Sequence, residues 1–167
     1  MKDFIMVGGP AGVGKTTVCR ELLRTMGRCA WLDADWCWMV HPWHPKTTEQ
    51  QRTVERLFGQ ILDQYFADPQ TDVVLFSWLM HGDFMFDLVT DTLTARDYRL
   101  WKFALVCEDR EVYRRRLTYD GRRTEQVEGA ETMERYRALH ATVLNTSRLT
   151  PAQVAQAIQR QVTGGGR

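Results

Sequence analysis

One glycine-rich segment near the N-terminus constrains the fold of this 167-residue chain more than any other feature: Gly9-Pro10-Ala11-Gly12-Val13-Gly14-Lys15-Thr16. A short apolar run, Phe4–Val7, precedes it, and a helical pattern from Thr17 to about Thr25 follows it. Glycines let the backbone curl with its N–H groups pointing inward, where a Cβ atom would clash or the φ angle would be forbidden. The dipole of the following helix adds to the attraction for an anion. The segment therefore predicts a strand–loop–helix unit that binds phosphate.

The spacing G-x4-G-K-T also assigns chemistry to individual side chains. Lys15 suits the β- and γ-phosphates of a nucleoside triphosphate, and the Thr16 hydroxyl suits a Mg²⁺ ion. The motif does not distinguish ATP from GTP. We expect the nucleotide to bind Gly12, Val13, Gly14, Lys15, Thr16 and Thr17.

Short apolar runs alternate with helical patterns along the rest of the chain, which indicates βα units around a parallel sheet. Between the second and third runs, seven apolar residues at 3–4 spacing predict a helix that packs on the sheet. A final helix begins at Thr150-Pro151. We expect one domain over residues 1–163 and a flexible tail over 164–167. The predicted strands are Phe4–Val7, Cys29–Leu32, Val73–Trp78, Trp101–Cys107 and Thr142–Asn145.

Composition argues against several classes of partner. The net charge of +1 lacks the basic excess of a dedicated nucleic-acid binder. The four cysteines show no C-x-x-C spacing, so neither a zinc site nor a disulfide framework is indicated. The sequence shows no signal-peptide pattern and no apolar run near the roughly 20 residues of a membrane span. We expect a cytoplasmic protein, monomeric or homodimeric, with no membrane or nucleic-acid partner.

With the Gly9–Thr16 motif in this context, the sequence resembles the nucleoside-kinase-like branch of P-loop proteins. This branch includes shikimate and gluconate kinases, nucleotide kinases and chloramphenicol phosphotransferase. The resemblance covers nearly the whole chain, although only the phosphate loop is highly specific. It implies a three-layer α/β fold with a five-stranded parallel sheet in the order 2-3-1-4-5. It also implies an acceptor-binding region at about 35–66 and a helical, arginine-bearing lid at about 118–130.

Two aspartates follow the second predicted strand, at the edge where open α/β sheets bind ligands. Residues i and i+2 of an extended backbone point the same way, so Asp33 and Asp35 could reach one site, although an aspartate-rich turn is the alternative. The segment resembles the D-x-D element of small-molecule kinases. That resemblance implies that Asp33 helps to hold Mg²⁺ with Thr16 and that Asp35 contacts or deprotonates the acceptor hydroxyl. A shift of register would exchange these roles. The third strand lacks the terminal Asp of motor-type ATPases, which favours a kinase.

Aromatic residues crowd the same strand ends. Trp36 and Trp78, with His81, are candidate walls of the acceptor pocket, although large aromatic side chains also dominate protein cores. Related kinases with anionic acceptors often carry arginines in this region. Here residues 33–51 contain one basic residue, Lys46. We therefore expect a neutral acceptor, aromatic or heterocyclic.

The third candidate region is rich in arginine, with six between Arg110 and Arg123. It resembles the lid whose arginines close over the phosphates, which implies a catalytic role for Arg122 or Arg123 and a place near the nucleotide base for Arg116. A solvated basic helix face would account for others of these arginines. Ser147 lies in a stretch that resembles the base-contacting loop after the fifth strand.

Together these features predict Mg²⁺-dependent transfer of the γ-phosphoryl group of ATP or GTP to a hydroxyl of a small, neutral, nucleoside-like or antibiotic molecule. An antibiotic-resistance phosphotransferase is one form of this function. A nucleotide kinase or a shikimate- or sugar-type kinase is the alternative within the class. A nucleotide-binding regulatory protein without an acceptor is the alternative outside it. The chain lacks the N-K-x-D motif of GTPases.

Overall fold

A computed structural model describes residues 1–39, 41, 47–119 and 130–165. Five parallel strands form one sheet in the order β2-β3-β1-β4-β5, which confirms the predicted order. Their bounds differ from the prediction mainly at β4, which begins three residues earlier. The strands are β1 Lys2–Gly8, β2 Cys29–Asp33, β3 Val73–Ser77, β4 Tyr98–Val106 and β5 Thr142–Asn145.

Helices connect the strands and cover the sheet. Thr47 and Thr150 each begin a helix with a capping box, in which the threonine side chain accepts from a backbone N–H and a glutamine reaches back. A short 3₁₀ helix, Ala34–Trp38, follows β2 directly. The α-helices are α1 Lys15–Thr25, α2 Thr48–Ala67, α3 Asp83–Asp91, α4 Arg110–Tyr119, α5 Ala130–Arg137 and α6 Pro151–Gly164.

The core lies on both faces of the central strands. Phe4–Val7 of β1 are fully buried, as expected of a parallel strand covered by helices on both sides. On α2, Val54, Phe58 and Leu62 are buried, whereas Leu57 is 42% exposed. Leu57 is one of the seven apolar residues that are predicted to pack on the sheet. The prediction is wrong at this position, because the buried face of α2 is narrower than the sequence pattern.

Register brings the carboxyl ends of three strands together. Ser77 at the end of β3 lies opposite Asp33 of β2 on one side and Val7 of β1 on the other. The glycine-rich loop leaves β1 at this same edge. The predicted phosphate loop and the predicted aspartates therefore share one edge of the sheet. No helix among the described residues is long and apolar enough to span a membrane.

Candidate active site

The glycine-rich loop joins β1 to α1, and its backbone conformation requires glycine. Gly9 has a φ of 152°, and a Cβ atom there would lie 2.8 Å from the carbonyl oxygen of Leu105. Gly14, the residue before α1, has a φ of 109°. Other residues rarely adopt such angles, so a substitution at Gly9 or Gly14 would strain the loop. The loop thus presents its backbone at the start of a helix, the arrangement that binds anions.

Two side chains, Lys15 and Tyr113, bind backbone carbonyls of the loop. The Lys15 ammonium donates to the carbonyl oxygens of Gly9, at 2.8 Å, and Pro10, at 2.9 Å. On the other side, the buried Tyr113 hydroxyl of α4 donates to the Ala11 carbonyl at 2.7 Å. The positive charge is therefore held at the loop itself, where the phosphates of a nucleotide would gather.

Thr16 and Asp33 meet beside the loop. The Thr16 hydroxyl donates to Oδ2 of Asp33 at 3.1 Å, and the backbone N–H of Asp35 donates to Oδ1 at 3.1 Å. Asp33 is only 5% exposed, so its carboxylate is fixed in a polar contact at the strand end. Hydroxyl and carboxylate oxygens are ligands that Mg²⁺ prefers, and this ion usually takes few of its ligands from protein. The Thr16–Asp33 pair therefore fits a magnesium ion held mainly by phosphates and water.

Ser77 occupies the position where a motor-type ATPase would carry a carboxylate. Its buried hydroxyl accepts from the indole N–H of Trp31 at 3.0 Å. Burial raises the pKa of the neighbouring Cys19 thiol, and the Asp33 charge raises that pKa further, whereas a hydrogen bond with Ser77 lowers it in part. The thiol therefore stays neutral. Around the end of β3, Asp33 supplies the negative charge, whereas Ser77 and Cys19 are neutral.

Asp35 lines a cavity of about 360 Å³ that is also lined by residues of the loop. Asp35 is exposed, unlike Asp33, because it lies in the 3₁₀ helix and not on an extended strand. The premise that the two carboxylates share a strand face is wrong, since the chain turns immediately after Asp33. The cavity still brings Asp35 together with the predicted phosphate-binding residues. Its lining residues are Ala11, Gly12, Gly14, Lys15, Thr16, Thr17, Arg20, Asp35 and Leu79.

The predicted aromatic walls lie beside this cavity but are not among its lining residues. Trp36 is 49% exposed and packs against Trp31, with ring centroids 4.8 Å apart. Trp78 is half-buried between Phe58, at 5.6 Å, and Trp38, at 6.4 Å. Nε1 of Trp38 is buried and has no hydrogen-bond partner among the described residues. Trp36 is the most exposed of these four tryptophan rings and provides an aromatic surface next to Asp35 in the chain.

His81 and Asp83 follow the end of β3. The exposed His81 ring contacts Phe84 edge to face at 5.7 Å. Asp83 begins α3, and its carboxylate accepts from the backbone N–H of His140 and contacts its ring nitrogen, each at 2.9 Å. Asp83 therefore has a structural role in joining α3 to the segment before β5. Trp43 and His44 lie outside the described residues.

A second cavity of about 450 Å³ lies on the other side of the loop. Arg116 of α4, for which the sequence predicts a place near the nucleotide base, is one of its lining residues. Its guanidinium donates to the Val13 carbonyl at 3.1 Å, to the Thr146 hydroxyl at 2.7 Å and to the Thr146 carbonyl at 2.8 Å. The arginine is thus locked between the loop and the segment after β5. The other lining residues are Gly12, Val13, Gly14, Thr17, Val18, Arg115, Tyr119, Thr146, Leu149, Pro151 and Val154.

Ser147 has a different place from the one that the sequence suggests. Its hydroxyl accepts from the backbone N–H groups of Glu108 and Asp109 and donates to the Asn145 side chain at 2.7 Å. It ties the end of β5 to the start of α4 and is not among the residues that line the cavity. Arg122 and Arg123, the candidate lid arginines, lie outside the described residues.

Sequence reasoning missed several residues that line or brace these cavities. Arg20 lies one helical turn beyond Thr16, a spacing that places both on one face of α1. Thr146, and not its neighbour Ser147, lines the second cavity. Tyr136 braces the acceptor side, where its hydroxyl donates to the Leu79 carbonyl at 2.6 Å. The helical spacing from Thr16 could have indicated Arg20, whereas the contact of Tyr136 with Leu79 joins elements far apart in sequence.

Comparison with known proteins gives a family match and a structural one. The sequence matches the family model described as an AAA domain over residues 5–137. None of the curated proteins is significantly similar to it.

Similar folds occur among solved structures. The tunicamycin resistance protein of Deinococcus radiodurans superposes with a TM-score of 0.69 at 18% identity, covering 97% of this chain and 96% of that one. A gluconokinase from Sinorhizobium meliloti gives 0.63 at 16% identity, covering 99% and 98%. The shikimate kinase of Acinetobacter baumannii, solved with shikimate, gives 0.58 at 18% identity, covering 99% and 96%. The predicted resemblance to P-loop small-molecule kinases is confirmed in the fold.

Proposed function

The chain belongs to the AAA domain family, and from the site that it carries we propose that it transfers the γ-phosphoryl group of ATP or GTP to a hydroxyl group of a small molecule. The observation that carries this proposal is one cavity that brings Asp35 together with Lys15 and Thr16. A protein that only binds nucleotides has no need of an exposed carboxylate beside the γ-phosphate position. A phosphotransferase needs a group at that point to handle the proton of its acceptor.

Each residue of this cavity then has a role in binding or transfer. The loop backbone and the Lys15 ammonium would bind the phosphates and stabilise the charge that develops on the transferred group. Thr16 and Asp33 would hold Mg²⁺, which neutralises phosphate charge when it is bound. Asp35 would orient the acceptor hydroxyl and accept its proton. The hydroxyl oxygen forms the new bond to phosphorus, and the bond to the β,γ-bridging oxygen breaks, so that the nucleoside diphosphate leaves.

Two further assignments complete the proposal. Arg116 and the second cavity would hold the nucleoside part of the nucleotide, because this cavity borders the loop opposite Asp35. Arg122 or Arg123, on the proposed lid, would close over the phosphates and keep water from the reaction.

The aromatic surface supports an acceptor with a ring system. Trp36 is half-exposed beside Asp35, and Leu79, which lines the cavity, is 40% exposed. Flat apolar side chains at a polar site suit a nucleoside-like or antibiotic acceptor. A nucleotide kinase or a primary-metabolite kinase is the second candidate, and the observation that favours it is the arginine in the cavity, Arg20.

A screen of hydroxyl compounds tests the proposal. The protein is incubated with ATP or GTP, Mg²⁺ and a library of nucleosides, nucleotides, sugars, hydroxy acids and antibiotics. Mass spectrometry then detects the mass gain of a phosphoryl group. We expect at least one acceptor to gain this mass with the wild type, and to gain it roughly 10²–10⁴-fold more slowly with Asp35→Asn. A protein that binds nucleotide tightly yet modifies no compound would instead be a regulatory nucleotide-binding protein.

A further inference from the structure

Arg20 stands out among the residues that line the cavity next to Asp35. It is exposed, it lies on α1 and it shares the cavity with Lys15, Thr16 and Asp35. Residues four apart on a helix have Cβ atoms about 5–6 Å apart, so Arg20 lies one turn away from Thr16 on the same face. Arg20 therefore belongs to the cavity in which an acceptor would lie beside Asp35.

Arg20, unlike most of the described arginines, has no hydrogen-bond or ion-pair partner among the described residues. Nearby on α1, Arg24 pairs with Glu21 at 2.8 Å. Nine described arginines bind a side chain through their guanidinium nitrogens: Arg24, Arg28, Arg56, Arg99, Arg114, Arg115, Arg116, Arg137 and Arg160. Of the described arginines without such a contact, Arg20 is the one that lines either of the two cavities beside the loop.

Of the three charged residues that line the cavity, Lys15 and Asp35 have a role in the proposed function, and Arg20 has none. Lys15 is bound to the loop carbonyls and serves the nucleotide phosphates in the proposed function. Asp35 serves the acceptor hydroxyl. A guanidinium has a planar fork of donors that matches the two oxygens of a carboxylate or a phosphate, and its charge persists at every physiological pH. An unpaired arginine in such a cavity is suited to bind an anion.

We infer that Arg20 binds an anionic group of the acceptor, so that the acceptor is a hydroxyl compound with a carboxylate or a phosphate. This inference rests on the proposed function and names the substrate class of the same site. It differs from the neutral acceptor that the sequence favours. The sequence-based expectation considered basic residues within 33–51, whereas the cavity receives its arginine from α1, which precedes that segment.

Matched pairs of acceptors test the inference. Each pair differs by one anionic group: a nucleoside and its 5′-monophosphate, or a methyl ester and its hydroxy acid. Transfer is measured with wild-type protein, with Arg20→Gln and with the control Arg24→Gln, which changes an arginine on the next turn that lines neither cavity. We expect the wild type to prefer the anionic member. Arg20→Gln should raise KM for that member at least about tenfold, the value of a charged hydrogen bond, with little change in kcat.

The same assay separates failure of the inference from failure of the proposed function. A wild type that prefers the neutral members, or an Arg20→Gln protein that loses both members equally, overturns the anionic acceptor while transfer itself stands. Because loss of both members also follows from a damaged fold, the unfolding temperature and nucleotide affinity of Arg20→Gln are compared with those of Arg24→Gln.

A binding measurement decides the anion site even if no compound is phosphorylated. The phosphate loop is first saturated with a non-hydrolysable nucleotide analogue and Mg²⁺. Sulfate is then titrated against chloride at constant ionic strength, and the unfolding temperature is recorded. We expect sulfate to stabilise wild type and Arg24→Gln more than Arg20→Gln. Equal stabilisation of all three proteins would show that Arg20 binds no anion.

Discussion

The two sides of the phosphate loop are built in different ways. On the nucleotide side, Arg116 is fixed by three hydrogen bonds between Val13 and Thr146, and Tyr113 braces the loop. On the acceptor side, Asp35 and Trp36 are exposed and Arg20 has no partner among the described residues. The nucleotide side is preorganised by contacts within the protein, whereas the acceptor side presents side chains that are exposed to a substrate. Preorganised charge favours catalysis, and exposed groups favour selection of the acceptor.

The largest effect that this comparison predicts is a loss of phosphoryl transfer with no loss of nucleotide affinity. Asp35→Asn keeps the size of the side chain and removes its capacity to accept a proton. Transfer should fall roughly 10²–10⁴-fold, the usual value of general-base catalysis, while the affinity for a nucleotide analogue stays unchanged. The measurements are transfer assays and analogue titrations with the identified acceptor.

Asp33→Asn is the matched variant on the metal side. Because Asp33 contacts Thr16, the amide should weaken the dependence of nucleotide binding on Mg²⁺. If the two variants exchange these behaviours, the roles of the aspartates are reversed. If both retain full transfer, the D-x-D interpretation is wrong.

Lys15→Ala is expected to have the next largest effect, on the nucleotide side. Loss of one preorganised donor to a developing charge typically costs about 10²–10³-fold in turnover. The fold should persist, because the Lys15 ammonium contacts backbone carbonyls of the loop and not the core. Circular dichroism and transfer assays test both statements. Near-normal turnover in a folded Lys15→Ala protein would exclude the loop from the reaction.

Two buried tyrosines provide a more direct test of the difference between the nucleotide side and the acceptor side, with a smaller expected effect. Tyr113→Phe removes the hydrogen bond to Ala11 on the nucleotide side, and Tyr136→Phe removes the one to Leu79 on the acceptor side. Each bond is worth about 1 kcal/mol, or roughly fivefold in an equilibrium constant. We expect Tyr113→Phe to weaken nucleotide binding and Tyr136→Phe to raise KM for the acceptor. Calorimetric titrations measure the nucleotide affinity, and initial-rate kinetics measure KM for the acceptor. If each variant weakened the binding of nucleotide and of acceptor equally, the two sides of the loop would not be independent.

The same difference explains how far the sequence predicts the molecule. The loop and the five strands follow from local patterns, because glycines at fixed spacing and apolar runs act on neighbouring residues, whereas the order of the strands follows from the family resemblance. The direction of Asp35 does not follow, since the chain leaves the extended conformation at Ala34. Tyr136 is brought to the acceptor side by packing between elements distant in sequence. The phosphate loop can therefore be predicted from a sequence motif, whereas the arrangement of the acceptor side is seen only in the three-dimensional structure.

The smallest predicted effect concerns Trp31 and Trp38, and it is measured as a change in stability rather than in activity. Trp31 donates its indole N–H to Ser77, whereas the buried N–H of Trp38 has no partner among the described residues. Trp→Phe removes the same atoms at both positions.

Trp31→Phe should lower the free energy of unfolding by about 2 kcal/mol or more, since the ring is buried and the Ser77 hydroxyl loses its donor. Trp38→Phe should change it by less than about 0.5 kcal/mol, because removing an unsatisfied buried donor offsets the lost packing against Trp78. Denaturant unfolding measures both, and Trp31→Phe in a Ser77→Ala background separates the hydrogen bond from the packing of the ring. A Trp38→Phe protein as unstable as Trp31→Phe would mean that the Trp38 N–H is satisfied in the folded chain. The acceptor side would then be as preorganised as the nucleotide side at this position.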